Sequence, residues 1–166
     1  MGTFKESKMR FEFPDDDLYY IEKSPLHNQV KDFKTCECIV KFRNKVTLIE
    51  AKSSAPKVKH NDANFDSFIS DIMWKFRDSL TFYNAVLLRH EEEPVGERLK
   101  DIKPQKADYQ MILIIHGHKE EWLPPVMDAL KSKVCHLLKV WKITDTSVKV
   151  LNETIAKEWG LVADFD

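Results

Sequence analysis

Two glutamates and a lysine lie where they could form a metal-dependent catalytic site. The stretch CECIVKFRNKVTLIEAKSS, residues 36–54, contains Glu37, Glu50 and Lys52 inside segments that are otherwise rich in apolar and β-branched residues. Two carboxylates a few ångströms apart repel each other unless one is protonated or a cation lies between them. Mg²⁺ and Mn²⁺ prefer oxygen ligands and suit such a position. Glu37 and Glu50 are therefore candidate metal ligands, and Lys52 could orient a water molecule or stabilise charge on a phosphoryl group.

The same three side chains also allow a structural interpretation. An ion-paired trio of Glu37, Glu50 and Lys52 could close a partly exposed strand end without any catalytic role. The residues alone leave both alternatives open.

The elements that must position these side chains are two strands joined by a short polar turn. Side chains alternate along a strand, and the burial of one face fixes the pairing register. An even loop, at residues 44–45 or 43–46, would place Glu37 opposite Lys52 and bring Glu50 to the same end of the hairpin. The other face would then be almost wholly apolar, with Cys38, Val40, Phe42, Thr47, Ile49 and Ala51.

The rest of the chain predicts an α/β fold. The order of elements is strand, strand, strand, helix, strand, helix, strand or hairpin, short helix, which indicates a mixed central sheet with helices on both faces. Besides the two hairpin strands, the predicted elements are an irregular lead-in at 11–17, a strand at 18–21, a helix at 65–90, a strand at 109–115, a helix opening at 124–125, strands at 141–143 and 148–150, and a helical turn at 152–159.

An acid on one strand and Glu-x-Lys on its hairpin partner, followed by a helix and a strand, resemble the PD-(D/E)xK nuclease superfamily. The acid-x-Lys pattern occurs at Glu6-Lys8, Asp32-Lys34, Glu50-Lys52 and Asp101-Lys103. Of these, only Glu50-Ala51-Lys52 ends an apolar strand with an acid-bearing strand just before it. The resemblance covers roughly residues 18–116, within a single domain 1–166.

The resemblance implies a restriction-endonuclease-like fold and cleavage of nucleic acids with Mg²⁺. It implies Glu37 and Glu50 as metal ligands and Lys52 as the residue that positions the attacking water. Glu22 would supply the acid that an N-terminal helix often contributes in this family. Residues 117–166 would form a C-terminal appendage to the nuclease-like core.

Two other functions stay open at the level of sequence. The chain could be a non-catalytic binding or assembly module of the same fold, whose Phe-rich helix packs on a protein partner or a second copy. His116-Gly117-His118 could instead bind Zn²⁺ or Fe²⁺ as an H-x-H pair in a metalloenzyme.

Charge and composition suggest where the chain works and what it contacts. The net charge is −1, but residues 31–60 carry eight Lys and Arg against three acids, a local charge of +5 that could meet a nucleic-acid backbone. No apolar run is long enough for a membrane span, and the first residues lack the apolar core of a signal peptide. Three cysteines fit reduced thiols, with Cys36 and Cys38 expected to point the same way along a strand. We therefore expect a cytoplasmic protein that does not bind membranes.

Overall fold

A five-stranded mixed sheet forms the centre of the computed structural model, which describes residues 1–59 and 61–164. The strands of the chain are β1 (Gly2–Glu6), β2 (Met9–Phe13), β3 (Leu18–Tyr19), β4 (Cys38–Phe42), β5 (Lys45–Lys52), β6 (Tyr109–Ile115) and β7 (Val148–Asn152). The main sheet has the order β3-β4-β5-β6-β7. Its first three strands are antiparallel, whereas β5, β6 and β7 are parallel. The prediction of a mixed central sheet is confirmed.

The two long helices pack against one face of this sheet. The helices are α1 (Ala63–Arg89), α2 (Glu97–Lys100), α3 (Leu123–Trp141) and α4 (Glu153–Trp159). Phe76 of α1 and Leu130 of α3 share one buried apolar cluster with Leu48 of β5. Asp62 caps α1, because its carboxylate accepts hydrogen bonds from backbone N–H groups of the first turn. The helix predicted at 65–90 is confirmed to within two residues at each end.

An N-terminal hairpin and α4 cover the opposite face. β1 and β2 pair around a turn at Ser7 and Lys8, which both adopt positive φ. The rings of Phe4 and Phe11 stack 5.1 Å apart, and both belong to the apolar cluster of this second face. The irregular lead-in predicted at 11–17 is therefore wrong for its first residues. The prediction of helices on both faces of the sheet is confirmed, but the two long helices, α1 and α3, lie on the same face.

The hairpin between β4 and β5 turns one residue earlier than predicted. Arg43 and Asn44 have φ values of 48° and 62°, which is the left-handed conformation that a two-residue type I′ turn requires. Cys38 pairs with Ile49, so the predicted pairing of residue 37 with residue 52 is wrong. The loop is still even, and the predicted division into two faces therefore holds. The second-face cluster contains Cys38, Val40, Phe42, Ile49 and Ala51.

The backbone just before β4 is irregular. The N–H of Glu37 donates to the carbonyl of Ile49 at 3.0 Å, although the ladder partner of Ile49 is Cys38. Two residues thus face one, as in a β-bulge, and the strict alternation of side chains is lost. Cys36 and Cys38 consequently lie in different apolar clusters, and the expectation that their thiols point the same way is wrong.

The C-terminal part of the chain, expected as an appendage, supplies one edge of the main sheet. β7 pairs with β6, with Val150 opposite Leu113. Trp141 is the last residue of α3, so the strand predicted at 141–143 is wrong, whereas the one at 148–150 is confirmed. Within residues 1–59 and 61–164, no helix combines the length and the apolar character needed to cross a bilayer.

Candidate functional site

Glu50 lies near the carboxyl end of β5, fully buried between two lysines. The Nζ atom of Lys75, on α1, is 2.8 Å from its Oε1 atom, and the Nζ atom of Lys52 is 3.1 Å from the same oxygen. The second oxygen, Oε2, is buried and has no hydrogen-bond partner. Glu50 therefore has one oxygen that two cations already satisfy and one that is free for another ligand.

The fold stabilises Glu50 and Lys75 as an ion pair. Burial raises the pKa of Glu50, and the attraction of Lys75 and Lys52 opposes that rise. Burial also acts to lower the pKa of Lys75, but the carboxylate of Glu50 outweighs it, with help from Glu37 and Asp71, so that the pKa is raised. A buried charge persists only where opposite charge and hydrogen bonds replace water. Lys75 supplies both to Glu50.

Asp71 extends this ionic network from α1 towards solvent. Its Oδ2 atom is 3.6 Å from the Nζ atom of Lys52, and its Oδ1 atom is 3.2 Å from that of Lys34. Asp71 and Lys75 are four residues apart on the helix and therefore share one of its faces. The side chain of Lys52, which is 26% exposed, lies between two carboxylates and can still be reached from solvent.

A second acidic cluster consists of Glu6, Glu22 and Glu37. One carboxylate oxygen of each residue lies within 4.8 Å of the other two. Glu6 ends β1, Glu22 lies in a 3-10 turn at Ile21–Lys23, and Glu37 directly precedes β4. The Oε2 atoms of Glu22 and Glu37 are buried without a hydrogen-bond partner, and Lys23 approaches that of Glu22 only to 3.9 Å. Three separate segments thus converge on a poorly satisfied group of carboxyl oxygens.

Glu37 holds a proton at neutral pH when no cation is bound. Burial, repulsion from Glu50, and the hydrogen bond and charge of Glu22 raise its pKa to about 9, and Glu6 adds to the rise. The two acids singled out in the sequence therefore lie close enough to influence each other. Because metal ligands must be deprotonated, a bound cation would displace this proton.

The metal-free protein should lose stability as the pH rises from about 5 towards 9. An unfolded glutamate has a pKa of about 4.3, whereas that of folded Glu37 is about 9. The contribution of Glu37 is therefore complete below the unfolded pKa and is lost as the pH rises to the folded one, by up to about 1.4 kcal/mol per pH unit. Urea denaturation in EDTA, compared with Glu37→Gln, measures this difference. Equal pH dependence in both proteins would contradict the prediction.

The donors at this end of the sheet fit a hard divalent cation. All of them are carboxylate oxygens, which suit Mg²⁺ or Mn²⁺ better than softer metals. Buried polar atoms nearly always have a partner, yet the Oε2 atoms of Glu22, Glu37 and Glu50 have none. A cation held by Glu6, Glu22 and Glu37 would satisfy those of Glu22 and Glu37. Among the described residues, Glu50, predicted as a second metal ligand, does not belong to this group of oxygens.

His116 and His118 follow β6 next to this site. The N–H of His116 donates to the carbonyl of Lys52 at 2.9 Å, so the strand before it neighbours the one that carries Glu50. His118 packs edge-on against Trp122, with ring centroids 5.4 Å apart. Burial lowers the pKa of His118, and its Nε2 atom has no hydrogen-bond partner. In the part of the chain that the structure describes, the possible metal-binding group includes neither histidine.

Three residues of the site were not predicted from sequence: Glu6, Asp71 and Lys75. Glu6 belongs to a strand that was not predicted at all. Asp71 and Lys75 carry a usable signal, an acid and a base four residues apart beside the apolar stripe of α1. That spacing does not reveal which strand the helix face meets.

Comparisons of this chain with protein-family models, curated proteins and solved structures found no match. The resemblance to PD-(D/E)xK nucleases therefore depends on Glu37, Glu50, Lys52 and the order of elements around them. The structure confirms a mixed sheet with helices, as predicted for an α/β fold. The restriction-endonuclease-like class stays a prediction.

Proposed function

We propose that this protein is a nuclease that hydrolyses phosphodiester bonds in nucleic acids with Mg²⁺ or Mn²⁺. The observation that carries the proposal is the buried carboxyl of Glu37, which lacks a partner for Oε2 although Glu6 and Glu22 lie within 4.8 Å. Lys52, next to Glu50, adds a partly exposed ammonium at the same end of the sheet. Metal-assisted phosphoryl chemistry uses carboxylate ligands for the ion, and a cationic side chain within reach of the substrate adds stabilisation of the developing charge.

Glu6, Glu22 and Glu37 would hold the cation, and Glu50, close enough to raise the pKa of Glu37, would lie beside them with Lys52. The ion would supply Lewis-acid polarisation of the phosphoryl group and a lowered pKa of water. Glu37 would release its proton on binding, because a coordinating carboxyl is deprotonated.

The two lysines beside Glu50 have different roles in this proposal. Lys75 is only 17% exposed and lies closest to the Glu50 carboxylate, so it keeps that group ionised and fixed in place. Lys52 is more exposed and can turn to a phosphoryl oxygen or to the attacking water. Lys52 is thus the catalytic residue, and Lys75 is a positioning residue.

Basic side chains after β5 are suited to contact the substrate backbone. Arg43, in the hairpin turn, is separated from Lys52 by the length of β5, roughly 25 Å. Lys57 and Lys59 are exposed and follow Lys52 within a few residues. Lys34 is also close, because it shares Asp71 with Lys52. A substrate at Lys52 could therefore reach both ends of the basic segment 31–60 but not the hairpin turn between them. Phosphate contacts of this kind would make affinity fall with salt.

Glu37→Gln should weaken Mn²⁺ binding by about tenfold or more, whereas His116→Ala should leave it within about twofold. The amide of glutamine keeps the shape of the side chain but removes a charged ligand, and the cluster contains no histidine. Titration calorimetry of both variants at one pH measures their Mn²⁺ affinities. A larger loss of affinity in His116→Ala than in Glu37→Gln would favour the H-x-H metalloenzyme.

Cleavage of plasmid and single-stranded substrates in Mg²⁺ or Mn²⁺ tests the function directly, with EDTA and Glu50→Gln as controls. Cleavage by the wild type that both controls abolish would support a nuclease. Equal, background-level products would favour the non-catalytic module. One observation favours this non-catalytic alternative. Glu50 is already paired with Lys75 and Lys52, and these ion pairs can stabilise the strand end without any metal.

A further inference from the structure

An open cavity of about 550 Å³ lies beside the proposed catalytic site. This volume is in the range of small-molecule pockets. Its apolar walls include Pro56, Val58, Pro125 and the indole of Trp122, and Lys57 and Glu121 add one charge of each sign.

The cavity is built from the two segments that leave the parallel strands at the site end. Ala55 and His118 both line it, and Ala55 follows Lys52 by three residues. His118 follows His116 by two residues, and the N–H of His116 is bonded to the carbonyl of Lys52. Three residues of extended chain span at most about 11 Å. A strand whose phosphate lies at Lys52 could therefore place a nearby base in the cavity.

Trp122 is the largest side chain of the lining and is 44% exposed. Exposed aromatic rings beside basic side chains form the stacking platforms on which proteins bind unpaired bases. The Nζ atom of Lys119 lies over the indole, 4.9 Å from its centroid. Lys119 is itself exposed, so its ammonium can leave the ring for a phosphate when a base takes its place.

We propose that this cavity binds an unpaired nucleobase of the substrate strand, stacked on Trp122. The role of the subsite in catalysis rests on the proposed nuclease function, but base binding itself does not. Glu121 would repel a phosphate and does not repel an uncharged base, which favours the base as the occupant. Lys57 and Lys119 are then placed to contact the flanking phosphates. The proposal makes single-stranded segments, rather than intact duplex, the preferred substrate.

Fluorescence anisotropy of a labelled single-stranded oligothymidylate, in EDTA so that no cleavage occurs, tests the subsite. Trp122→Ala should weaken binding by about tenfold, which corresponds to the loss of one stacked base. Trp122→Phe, which keeps an aromatic face, should restore most of the affinity. Trp74→Ala is the matched control, because Trp74 is 41% exposed, also has a cation over its ring, and does not line the cavity.

The proposal would be overturned if the wild type failed to bind the oligonucleotide, or if Trp122→Ala bound it as well as the wild type. An equal loss in Trp74→Ala, or a preference for the matching duplex, would also overturn it. Circular dichroism of each variant checks the fold. Trp122-dependent binding by a protein without nuclease activity would uphold the subsite and reject only the proposed function.

Discussion

Lys52→Ala should lower Mn²⁺-dependent cleavage by about a hundredfold or more and leave Mn²⁺ affinity nearly unchanged. The substitution removes the partly exposed ammonium that would contact water or the phosphoryl group, but none of the carboxylate ligands. Lys75 stays 2.8 Å from Glu50 and keeps the buried carboxylate paired. The free energy of unfolding should therefore change by no more than about 1 kcal/mol. Cleavage rates, Mn²⁺ titration and urea denaturation of one variant measure all three quantities.

Lys59→Ala is a suitable control for Lys52→Ala, because Lys59 belongs to the same basic segment and is exposed. It should change cleavage only slightly and in a salt-dependent way, as expected for a phosphate contact. If both substitutions reduced cleavage equally, Lys52 would act as one positive charge among several and not as a catalytic group. If the wild type cleaved no better than Glu50→Gln, the non-catalytic module would be the better explanation.

For the hairpin of β4 and β5, the sequence predicts which side chains share a face, but it does not predict which residues pair across the two strands. Alternation along the two strands correctly separated the apolar set around Cys38 and Ile49 from the face that carries Glu50. Any even loop gives that separation. The turn lies at Arg43 and Asn44, which both adopt positive φ. Type I′ turns favour Asn-Gly, Asp-Gly or Gly-Gly, so Arg43-Asn44 carries no clear sequence signal for this turn. Because side chains of both strands are buried on both faces, the hydrophobic pattern could not decide between even loops.

The contribution of the N-terminal hairpin to the site depends on long-range packing. Ser7 and Lys8 form a positive-φ turn without glycine, so the usual sequence signal for a tight hairpin is missing. The Oγ atom of Ser7 donates to the carbonyl of Ala51 at 3.1 Å, which fixes this turn against β5. Glu6, next to the turn, thereby joins Glu22 and Glu37. No local pattern in the sequence indicates that contact.

Lys75→Met should destabilise the protein by about 3 kcal/mol at neutral pH, the largest effect expected of a single substitution on stability. Methionine keeps most of the apolar length of lysine but removes the charge that pairs with the fully buried Glu50. Breaking a buried ion pair from one side leaves the other charge without compensation. Lys52, at 3.1 Å, offsets part of this cost. Lys52→Met is the matched comparison, because it removes the more exposed of the two cations and should cost less than about 1 kcal/mol.

A double-mutant cycle separates the ion pair from the packing of the lysine stem. If Lys75 acts by neutralising Glu50, then Lys75→Met should cost much less in a Glu50→Gln background, because no buried carboxylate is left unpaired. The free energy of unfolding of the four proteins, measured in urea at neutral pH, gives the coupling directly. An equal cost in both backgrounds would mean that Lys75 stabilises α1 by packing alone. In that case Lys52 would have to neutralise the Glu50 carboxylate by itself. It would then not be free to contact a substrate, as the proposed function requires.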